Sequence, residues 1–268
     1  MNKCIAVANQ KGGVGKTTTS VNLAASLADK DARVLVVDLD PQGNATMGSG
    51  IDKRELGLSS FDVLMGESPL LPAVLHLAEC RYALLPGNSD LTGAEVALVE
   101  DVGGELCMRQ ALEDAAELFD YVIIDCPPSL NMLTVNALAA ANSVIIPMQC
   151  EYYALEGLSA LLDTINRIRT VLNPGLRVEG LLRTMFDVRN NLSTQVSAQL
   201  VKHFGDKVYR TIIPRNVRLA EAPSHGLPAL LYDRSSSGAM AYLALASELV
   251  NRSGVTAAGL ATGRQLAH

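Results

Sequence analysis

A glycine-rich segment near the start of the chain contains the residue types that bind phosphate groups. Residues 9–19 read Asn-Gln-Lys-Gly-Gly-Val-Gly-Lys-Thr-Thr-Thr, between a short apolar run and a stretch with helical periodicity. Glycines allow consecutive backbone N–H groups to turn towards one anion, and the start of a helix adds a partial positive charge. The pattern therefore predicts a nucleotide phosphate loop. Its predicted ATP contacts include Gly12, Gly13, Val14, Gly15 and Thr18.

Two polar side chains follow the last glycine of this loop. Lys16 is placed to reach the β- and γ-phosphate oxygens, and the Thr17 hydroxyl is placed to bind Mg²⁺. We therefore predict ATP and Mg²⁺ as ligands, with Lys16 as a catalytic residue and Thr17 as a metal ligand. The alternative is a glycine-rich turn with surface lysines, and the strand before the loop and the helix after it argue against that alternative.

The loop departs from the usual P-loop spacing G-x-x-x-x-G-K-[ST]. Gln10 stands at the first glycine position, and a second lysine, Lys11, precedes Gly15 by four residues. In this respect the segment resembles the deviant Walker A family, in which this lysine reaches across a dimer interface to the partner's nucleotide. The resemblance implies that Lys11 binds ATP and acts in catalysis within a homodimer. A lysine arriving from the partner supplies positive charge near the γ-phosphate, which phosphoryl transfer requires.

Two carboxylates follow the second predicted strand. Asp38 and Asp40 share a face of that strand, because side chains alternate with a period of two. Asp40 leads into a loop that can respond to the γ-phosphate, so we predict that it orients the attacking water as a catalytic and metal-site residue. Asp38 is predicted to be structural and tethered to the phosphate loop. A strand-end or turn carboxylate is the alternative interpretation for both.

A further carboxylate ends the run Tyr-Val-Ile-Ile-Asp at residues 121–125. Four apolar residues followed by Asp form the Walker B pattern, in which the carboxylate holds the water shell of magnesium. Asp125 is therefore predicted to belong to the metal site. Cys126 has no neighbouring histidine in the sequence and is predicted to be a packing residue.

Strand and helix patterns alternate along the chain. The predicted strands are residues 4–8, 34–38, 82–85, 121–125, 143–147, 178–184 and 207–213. Besides the helix after the phosphate loop, the predicted helices are residues 104–118, 131–141, 153–172, 192–204 and 239–250. This alternation predicts one α/β domain over residues 1–252, a doubly wound, mostly parallel sheet of the P-loop NTPase type with helices on both faces. Residues 253–268 are predicted to be a disordered tail.

Composition restricts the location and the partners of the protein. The 268 residues include five cysteines without C-x-x-C spacing, which excludes a typical zinc or disulfide framework. No apolar run reaches the ~18 residues that span a bilayer, so a cytoplasmic protein is predicted. Residues 1–150 hold 9 Lys and Arg against 19 Asp and Glu, a net charge of −10, whereas residues 151–268 hold 13 against 9, a net charge of +4. The second half is a candidate polyanion-binding region.

Four longer stretches resemble ParA/Soj-type chromosome partition ATPases. They are residues 38–45, 125–129, 147–157 and 213–226, and the resemblance extends from about residue 3 to residue 250. It implies an ATP-dependent homodimer that binds DNA without sequence preference. It also implies that a ParB-type centromere-binding protein stimulates the hydrolysis of ATP. The protein is then expected in the cytoplasm, associated with the nucleoid and not with a membrane.

The same resemblance implies roles for five residues of the second half. Pro214 and Asn216 match the loop on the adenine side, where a backbone or amide group contacts the base. Met185 is assigned to packing on the base, and a methionine of the hydrophobic core is the alternative interpretation. Arg189 and Arg218 match the DNA-binding face. Both arginines lie in the half that carries the positive net charge.

Three other functions remain open on the sequence. A MinD-like ATPase acts at a membrane surface through a basic amphipathic helix, whereas residues 253–268 contain one Arg and no large apolar face. A nitrogenase iron-protein-like reductase needs cysteines that bridge a cluster between subunits, and only Cys126 lies near the predicted nucleotide site. A small-molecule ligase with a deviant P-loop is the third alternative.

Overall fold

The computed structural model describes residues 3–151 and 154–252. In this part of the chain, eight strands form one sheet. They are β1 (Lys3–Val7), β2 (Val34–Asp38), β3 (Leu75–Leu77), β4 (Tyr82–Leu85), β5 (Tyr121–Asp125), β6 (Ser143–Gln149), β7 (Arg177–Phe186) and β8 (Val208–Pro214). The strand order is β3-β4-β2-β5-β1-β6-β7-β8, and every neighbouring pair is parallel except β3 and β4. The predicted fold class is confirmed.

All seven predicted strands are present, and the bounds of β2, β4 and β5 match the prediction. These strands are buried along their whole length, which explains their continuous apolar runs. The sequence prediction lacks β3, which has only three residues, is only partly buried and pairs antiparallel at the edge of the sheet. Neither its length nor its side-chain pattern distinguishes it from a loop.

The described residues form the following α-helices: α1 (Lys16–Ala28), α2 (Asn44–Gly48), α3 (Ser60–Leu64), α4 (Leu70–Ala73), α5 (Leu91–Glu100), α6 (Cys107–Glu113), α7 (Met132–Ala140), α8 (Ala154–Val171), α9 (Asn191–Phe204), α10 (Val217–Glu221), α11 (Ala229–Tyr232) and α12 (Ser237–Arg252). Short 3-10 turns cover Gly104–Leu106, Gly205–Lys207 and Ala222–His225. The five predicted helices after α1 correspond to α6, α7, α8, α9 and α12.

The helices differ from the prediction at several places, and the prediction contains none of the short helices α2, α3, α4, α10 and α11, which have four or five residues each. The helix predicted over residues 104–118 begins as a 3-10 turn, and α6 ends at Glu113. The sequence prediction also lacks α5, in which Val96 and Val99 are 65% and 67% exposed. Apolar residues on the outer face of a helix obscure the amphipathic pattern from which helices are predicted.

The sheet separates two hydrophobic cores. Cys4 and Ala6 of β1 pack into the core that contains the apolar faces of α7 and α8, whereas Ile5 and Val7 pack with α1 and α12. Among the described residues, no helix combines the length and the apolar character needed to cross a bilayer. The predicted tail, residues 253–268, lies outside the described residues, so the domain boundary at residue 252 stays a prediction.

Candidate functional site

The loop between β1 and α1 has the backbone conformation that its glycines permit. Gly13 and Gly15 have φ angles of 72° and 86°, in the left-handed region that residues with side chains disfavour. The 13-residue helix α1 begins at Lys16, directly after Gly15. The first backbone N–H groups of a helix have no hydrogen-bond partner within the helix. The end of the loop therefore presents N–H donors at the helix N-terminus, where the helix dipole adds a partial positive charge. This arrangement is suited to binding an anion.

Lys16 and Thr17 are the first two residues of α1, directly after the glycine-rich loop. Lys16 is 7% exposed, and its Nζ donates to the carbonyl oxygen of Lys11 at 3.3 Å. Burial lowers the pKa of Lys16, and the nearby carboxylates of Asp125 and Asp40 oppose that shift. The Thr17 hydroxyl donates to Oδ2 of Asp125 at 2.7 Å. The loop lysine and the two predicted metal-site oxygens therefore belong to one cluster.

The two strand-end carboxylates of β2 and β5 are neighbours in the sheet. Asp38 pairs with Asp125 in the parallel register of β2 and β5, and both are fully buried. Burial raises the pKa of each carboxyl group, and the charge of Asp38 raises the pKa of Asp125 further. Such neighbouring carboxylates favour a bound cation, which would lower the cost of ionising both.

The predicted tether between Asp38 and the phosphate loop is wrong. Asp38 Oδ2 instead accepts hydrogen bonds from the backbone N–H and the hydroxyl of Thr46, at 2.8 and 2.7 Å, and so holds the start of α2. Asp125 makes the contacts to the loop region, through Thr17 and Ser20. The sequence places both carboxylates at strand ends but does not show which segment each one faces.

Asp40 lies close to this cluster, at the start of the segment that leads into α2. It is 7% exposed, and its Oδ1 accepts the backbone N–H of Gln42 at 3.0 Å. Its charge acts on both Lys16 and Asp125. Asp40 is therefore near the predicted phosphate position, on a segment distinct from the phosphate loop.

Within the described part of the chain, no group of three or more His, Cys, Asp or Glu side chains is arranged to hold a metal ion. Magnesium in nucleotide sites is commonly held by one or two protein oxygens together with phosphate oxygens. The hydroxyl of Thr17 and the carboxylate of Asp125 are hard oxygen donors of this kind, 2.7 Å apart.

A cavity of about 380 Å³ adjoins the phosphate loop. It brings the three residues assigned to the adenine side, Met185, Pro214 and Asn216, together with Gly15 and Thr18 of the loop. Met185 has a φ angle of 48°, in the left-handed region. A larger cavity of about 1020 Å³, next to Arg183 and Tyr209, contains none of the predicted nucleotide residues.

The side-chain amide of Asn216 is already engaged within the protein. Its Oδ1 accepts the backbone N–H of Leu219 at 3.3 Å and caps α10, while its Nδ2 donates to the hydroxyl of Ser237 at 2.9 Å. The sequence left open a backbone or an amide contact to the base at this loop. The engaged amide favours the backbone contact.

Lys11 is held within its own chain. Its Nζ lies 2.5 Å from Oε2 of Glu151, and the two side chains are 48% and 51% exposed. The sequence does not indicate Glu151 as the partner of Lys11, because 140 positions separate the two residues. Lys11 is thus a half-exposed cation beside the phosphate loop.

The two predicted DNA-binding arginines lie on the surface, and each is paired with carboxylates. Arg189 makes two hydrogen bonds to Asp187, at 2.9 and 2.8 Å, and its side chain is 86% exposed. Arg218 is 48% exposed and contacts Glu221 at 2.7 Å and Asp233 at 3.3 Å. Exposed ion pairs contribute little to stability. A phosphate group can therefore displace the carboxylates from these arginines at a small cost in free energy.

Cys126 is fully buried in the core beside β5, and burial raises the pKa of its thiol. A buried thiol is not available to bridge a cluster between two subunits. The prediction of a packing residue agrees with this position, and the reductase alternative loses its candidate ligand.

Comparison with known proteins identifies the relatives of this chain. Residues 2–178 match the family model described as an AAA domain. The chain is 53% identical over 248 residues to the chromosome-partitioning ATPase Soj of Thermus thermophilus, covering 92% of this chain and 95% of that protein. It is 52% identical over 251 residues to the chromosome partitioning protein ParA of Myxococcus xanthus, covering 93% of this chain and 88% of that protein.

Two solved structures share the fold. The cobyrinic acid a,c-diamide synthase of Mycobacterium smegmatis, with a bound ATP analogue and magnesium, has 38% identity and a TM-score of 0.84, covering 95% of this chain and 97% of that chain. The cell division ATPase MinD of Pyrococcus furiosus has 25% identity and a TM-score of 0.78, covering 94% of this chain and all of that chain. The sequence relatives are closer than either structure and extend over nearly the whole chain. The chain therefore belongs to the AAA-domain family matched here and, within it, to the ParA/Soj chromosome-partitioning ATPases.

Proposed function

We propose that this protein hydrolyses ATP slowly as a homodimer that forms when ATP binds and that binds DNA without sequence preference. A ParB-type centromere-binding protein stimulates the hydrolysis and ends each cycle. The observation that carries this proposal is the position of Lys11, a half-exposed cation beside a phosphate loop that already contains its own buried lysine, Lys16. The protein acts in the cytoplasm, on the nucleoid.

The phosphate groups of ATP bind the loop N–H groups and Lys16. Thr17 and Asp125 hold Mg²⁺, directly or through its water shell, and the ion neutralises charge on the phosphate oxygens. The 2.7 Å contact between the Thr17 hydroxyl and the Asp125 carboxylate supports this pairing. The adenine lies in the cavity lined by Met185 and Pro214.

Asp40 orients the water that attacks the γ-phosphate. Its carboxylate is close enough to act on the charges of Lys16 and Asp125, yet it belongs to the segment that follows β2. A group on a separate segment can change its position when the γ-phosphate is lost. This arrangement would link the presence of the γ-phosphate to the conformation of residues 40–48.

Lys11 acts in the partner's site. In the structure its charge is balanced by Glu151, an exposed pair of the kind that contributes little stability. The negative charge of ATP in a second subunit competes with Glu151 for the ammonium group. Dimerisation therefore depends on ATP, because the triphosphate supplies the stronger partner.

DNA binding uses Arg189 and Arg218, which lie in the half of the chain with a net charge of +4. A single subunit provides few phosphate contacts, and a dimer doubles them. Because affinity for DNA rises steeply with the number of phosphate contacts, dimerisation alone makes DNA binding depend on ATP.

The test compares the binding of two unrelated DNA duplexes in four states: without nucleotide, with ADP, with ATP and with a non-hydrolysable ATP analogue. We expect both duplexes to be bound similarly, and only with ATP or its analogue. Anionic lipid vesicles in the same series test the MinD-like alternative, whose helix would fall in residues 253–268, outside the described part of the chain. Binding to vesicles without binding to DNA would refute the proposal.

A further inference from the structure

Two polar side chains from β6 and β7 hold carbonyl groups of the phosphate loop. Thr184 of β7 donates from Oγ1 to the carbonyl oxygen of Val14 at 2.7 Å, and Thr184 is 2% exposed. Gln149, the last residue of β6, donates from Nε2 to the carbonyl oxygen of Gly13 at 3.3 Å. Neither Thr184 nor Gln149 belongs to the site predicted from the sequence.

These contacts act on two consecutive peptide units of the loop. A trans peptide is planar, so its C=O and N–H point in opposite directions. The carbonyl of Gly13 shares a peptide unit with the N–H of Val14, and the carbonyl of Val14 shares one with the N–H of Gly15. If β6 and β7 hold both carbonyls, the two N–H groups point away from those strands. Consecutive N–H groups on one side of the chain form an anion-binding concavity.

The backbone of Met185 allows two adjacent side chains of β7 to reach the loop. Neighbouring side chains of a strand normally point to opposite faces. Here a methyl group added to Gly15 would lie 3.9 Å from Cβ of Thr184 and 3.8 Å from Cε of Met185. The φ angle of 48° at Met185 interrupts the alternation, and the register between β7 and β8 shifts in the same region. An unfavourable backbone conformation persists only where the surrounding structure maintains it.

We propose that Thr184 is a positioning residue for nucleotide binding: its hydroxyl, assisted by Gln149, presets the peptide orientations of the loop so that the N–H groups of Val14 and Gly15 face the phosphates. The inference rests on the proposed binding of ATP by this loop. Without the hydroxyl, the carbonyl of Val14 loses its buried partner. The peptide unit can then rotate, and nucleotide binding must order it.

The test measures the affinity for Mg-ADP and Mg-ATP by titration of a fluorescent nucleotide analogue. Thr184→Val retains the shape of the side chain and removes the hydroxyl, and we expect its affinity for both nucleotides to fall about tenfold. Thr184→Ser restores the donor, and we expect its affinity to return to within roughly twofold of the wild type. The matched control is Thr170→Val, whose hydroxyl donates to the carbonyl of Asn166 within α8, and its affinity should not change.

Wild-type nucleotide affinity in Thr184→Val would overturn the proposal. So would a Thr184→Ser variant that binds nucleotide as weakly as Thr184→Val, because packing and not the hydroxyl would then explain the loss of affinity. If Thr184→Val does not fold, as judged by circular dichroism, Thr184→Ala and Thr184→Ser provide a second pair that differs only in the hydroxyl. Equal affinity of Ala and Ser would also overturn the proposal. A wild-type protein that binds neither nucleotide would contradict the proposed function itself, which distinguishes the two failures.

Discussion

The hydroxyl of Thr17 donates a 2.7 Å hydrogen bond to the carboxylate of Asp125 and so joins the phosphate loop to the end of β5. Ser20, one turn further along α1, donates to the other carboxylate oxygen at 2.8 Å. Asp125 is fully buried, and burial together with the charge of Asp38 raises its pKa. The carboxylate is thus kept at the loop although its ionised form is unfavourable there, which indicates a role in function rather than in stability.

Asp125→Asn should therefore separate function from stability. A raised pKa in the folded state means that ionisation of Asp125 disfavours folding near neutral pH, so the neutral Asn should leave the melting temperature unchanged or higher. We expect the Mg²⁺-dependent affinity for ATP to fall roughly 10- to 100-fold. The affinity for nucleotide measured with EDTA should change little. Thermal melting and nucleotide titration with and without Mg²⁺ measure both effects.

Asp120, directly before β5, provides the matched control. Burial opposes its ionisation, but the hydrogen bonds and charge of Arg33 prevail and lower its pKa. A carboxylate with a lowered pKa stabilises the fold at neutral pH. Asp120→Asn should therefore lower the melting temperature and leave the Mg²⁺ dependence intact. If both variants behave alike, Asp125 has no special role in metal binding.

Lys11→Ala tests the contribution of one subunit to the other. If Lys11 acts in the partner's site, the variant should bind ATP with normal affinity and remain monomeric, because the loop N–H groups and Lys16 are unchanged. Light scattering with ATP measures the mass, and Lys202→Ala, at an exposed position of α9, serves as the control. A Lys11→Ala protein that dimerises normally with ATP would contradict a role across the interface.

Arg189→Glu and Arg218→Glu should abolish DNA binding and leave ATP-dependent dimerisation intact. Wild-type binding should weaken steeply with salt, because each phosphate contact contributes about 0.9 to the slope of log K against log salt concentration. Filter binding or gel shift over a salt series measures this. A strong sequence preference, or affinity that does not depend on salt, would count against the proposed DNA surface.

Arg54→Glu is a close structural control for Arg189→Glu. Arg54 contacts Asp52 through Nε and Nη2 at 2.9 and 2.6 Å, much as Arg189 contacts Asp187. Arg54 is also exposed, but it lies in the acidic half of the chain. We expect Arg54→Glu to bind DNA like the wild type. A loss of DNA affinity in Arg189→Glu alone would then be due to the position of Arg189 on the DNA-binding surface and not to the loss of an Arg–Asp ion pair.

Asp40→Ala should separate the binding of ATP from its hydrolysis. The groups that bind phosphate are Lys16, Thr17 and the loop N–H groups, so ground-state binding should persist while the chemical step slows. With ATP the variant should accumulate as a DNA-bound dimer that a ParB-type partner does not release. Gel filtration and DNA retention, with and without partner, measure this outcome.

Asp40→Asn distinguishes the charge of Asp40 from its structural contact. The Asn side chain can still accept the backbone N–H of Gln42, which Oδ1 of Asp40 accepts in the structure. If Asp40→Asn is trapped like Asp40→Ala, the carboxylate itself is required. Hydrolysis at the wild-type rate in Asp40→Ala would move the catalytic role to another residue, whereas a wild-type rate in Asp40→Asn alone would show that the negative charge is not required.

Local features of this protein can be predicted from the amino-acid sequence alone. The phosphate loop, α1 and the bounds of β2, β4 and β5 follow from short windows, because glycine positions and side-chain periodicity act on neighbouring residues. The strand–helix alternation then predicts a parallel sheet with Asp40 and Asp125 at the same edge as the loop. The extra lysine and the longer strings pointed to the ParA/Soj family, which the relatives confirm.

Contacts between residues that are far apart in the sequence depend on the assembled fold. Thr184 and Val14 are 170 positions apart, Lys11 and Glu151 are 140 apart, and no pattern in a short window encodes either contact. The partner of Asp38 was predicted wrongly for the same reason: a strand-end carboxylate faces several loops, and packing selects one of them. Strand order and the left-handed backbone of Met185 together bring β7 against the phosphate loop. Local propensities cannot specify such contacts, because they form only when the whole sheet is assembled.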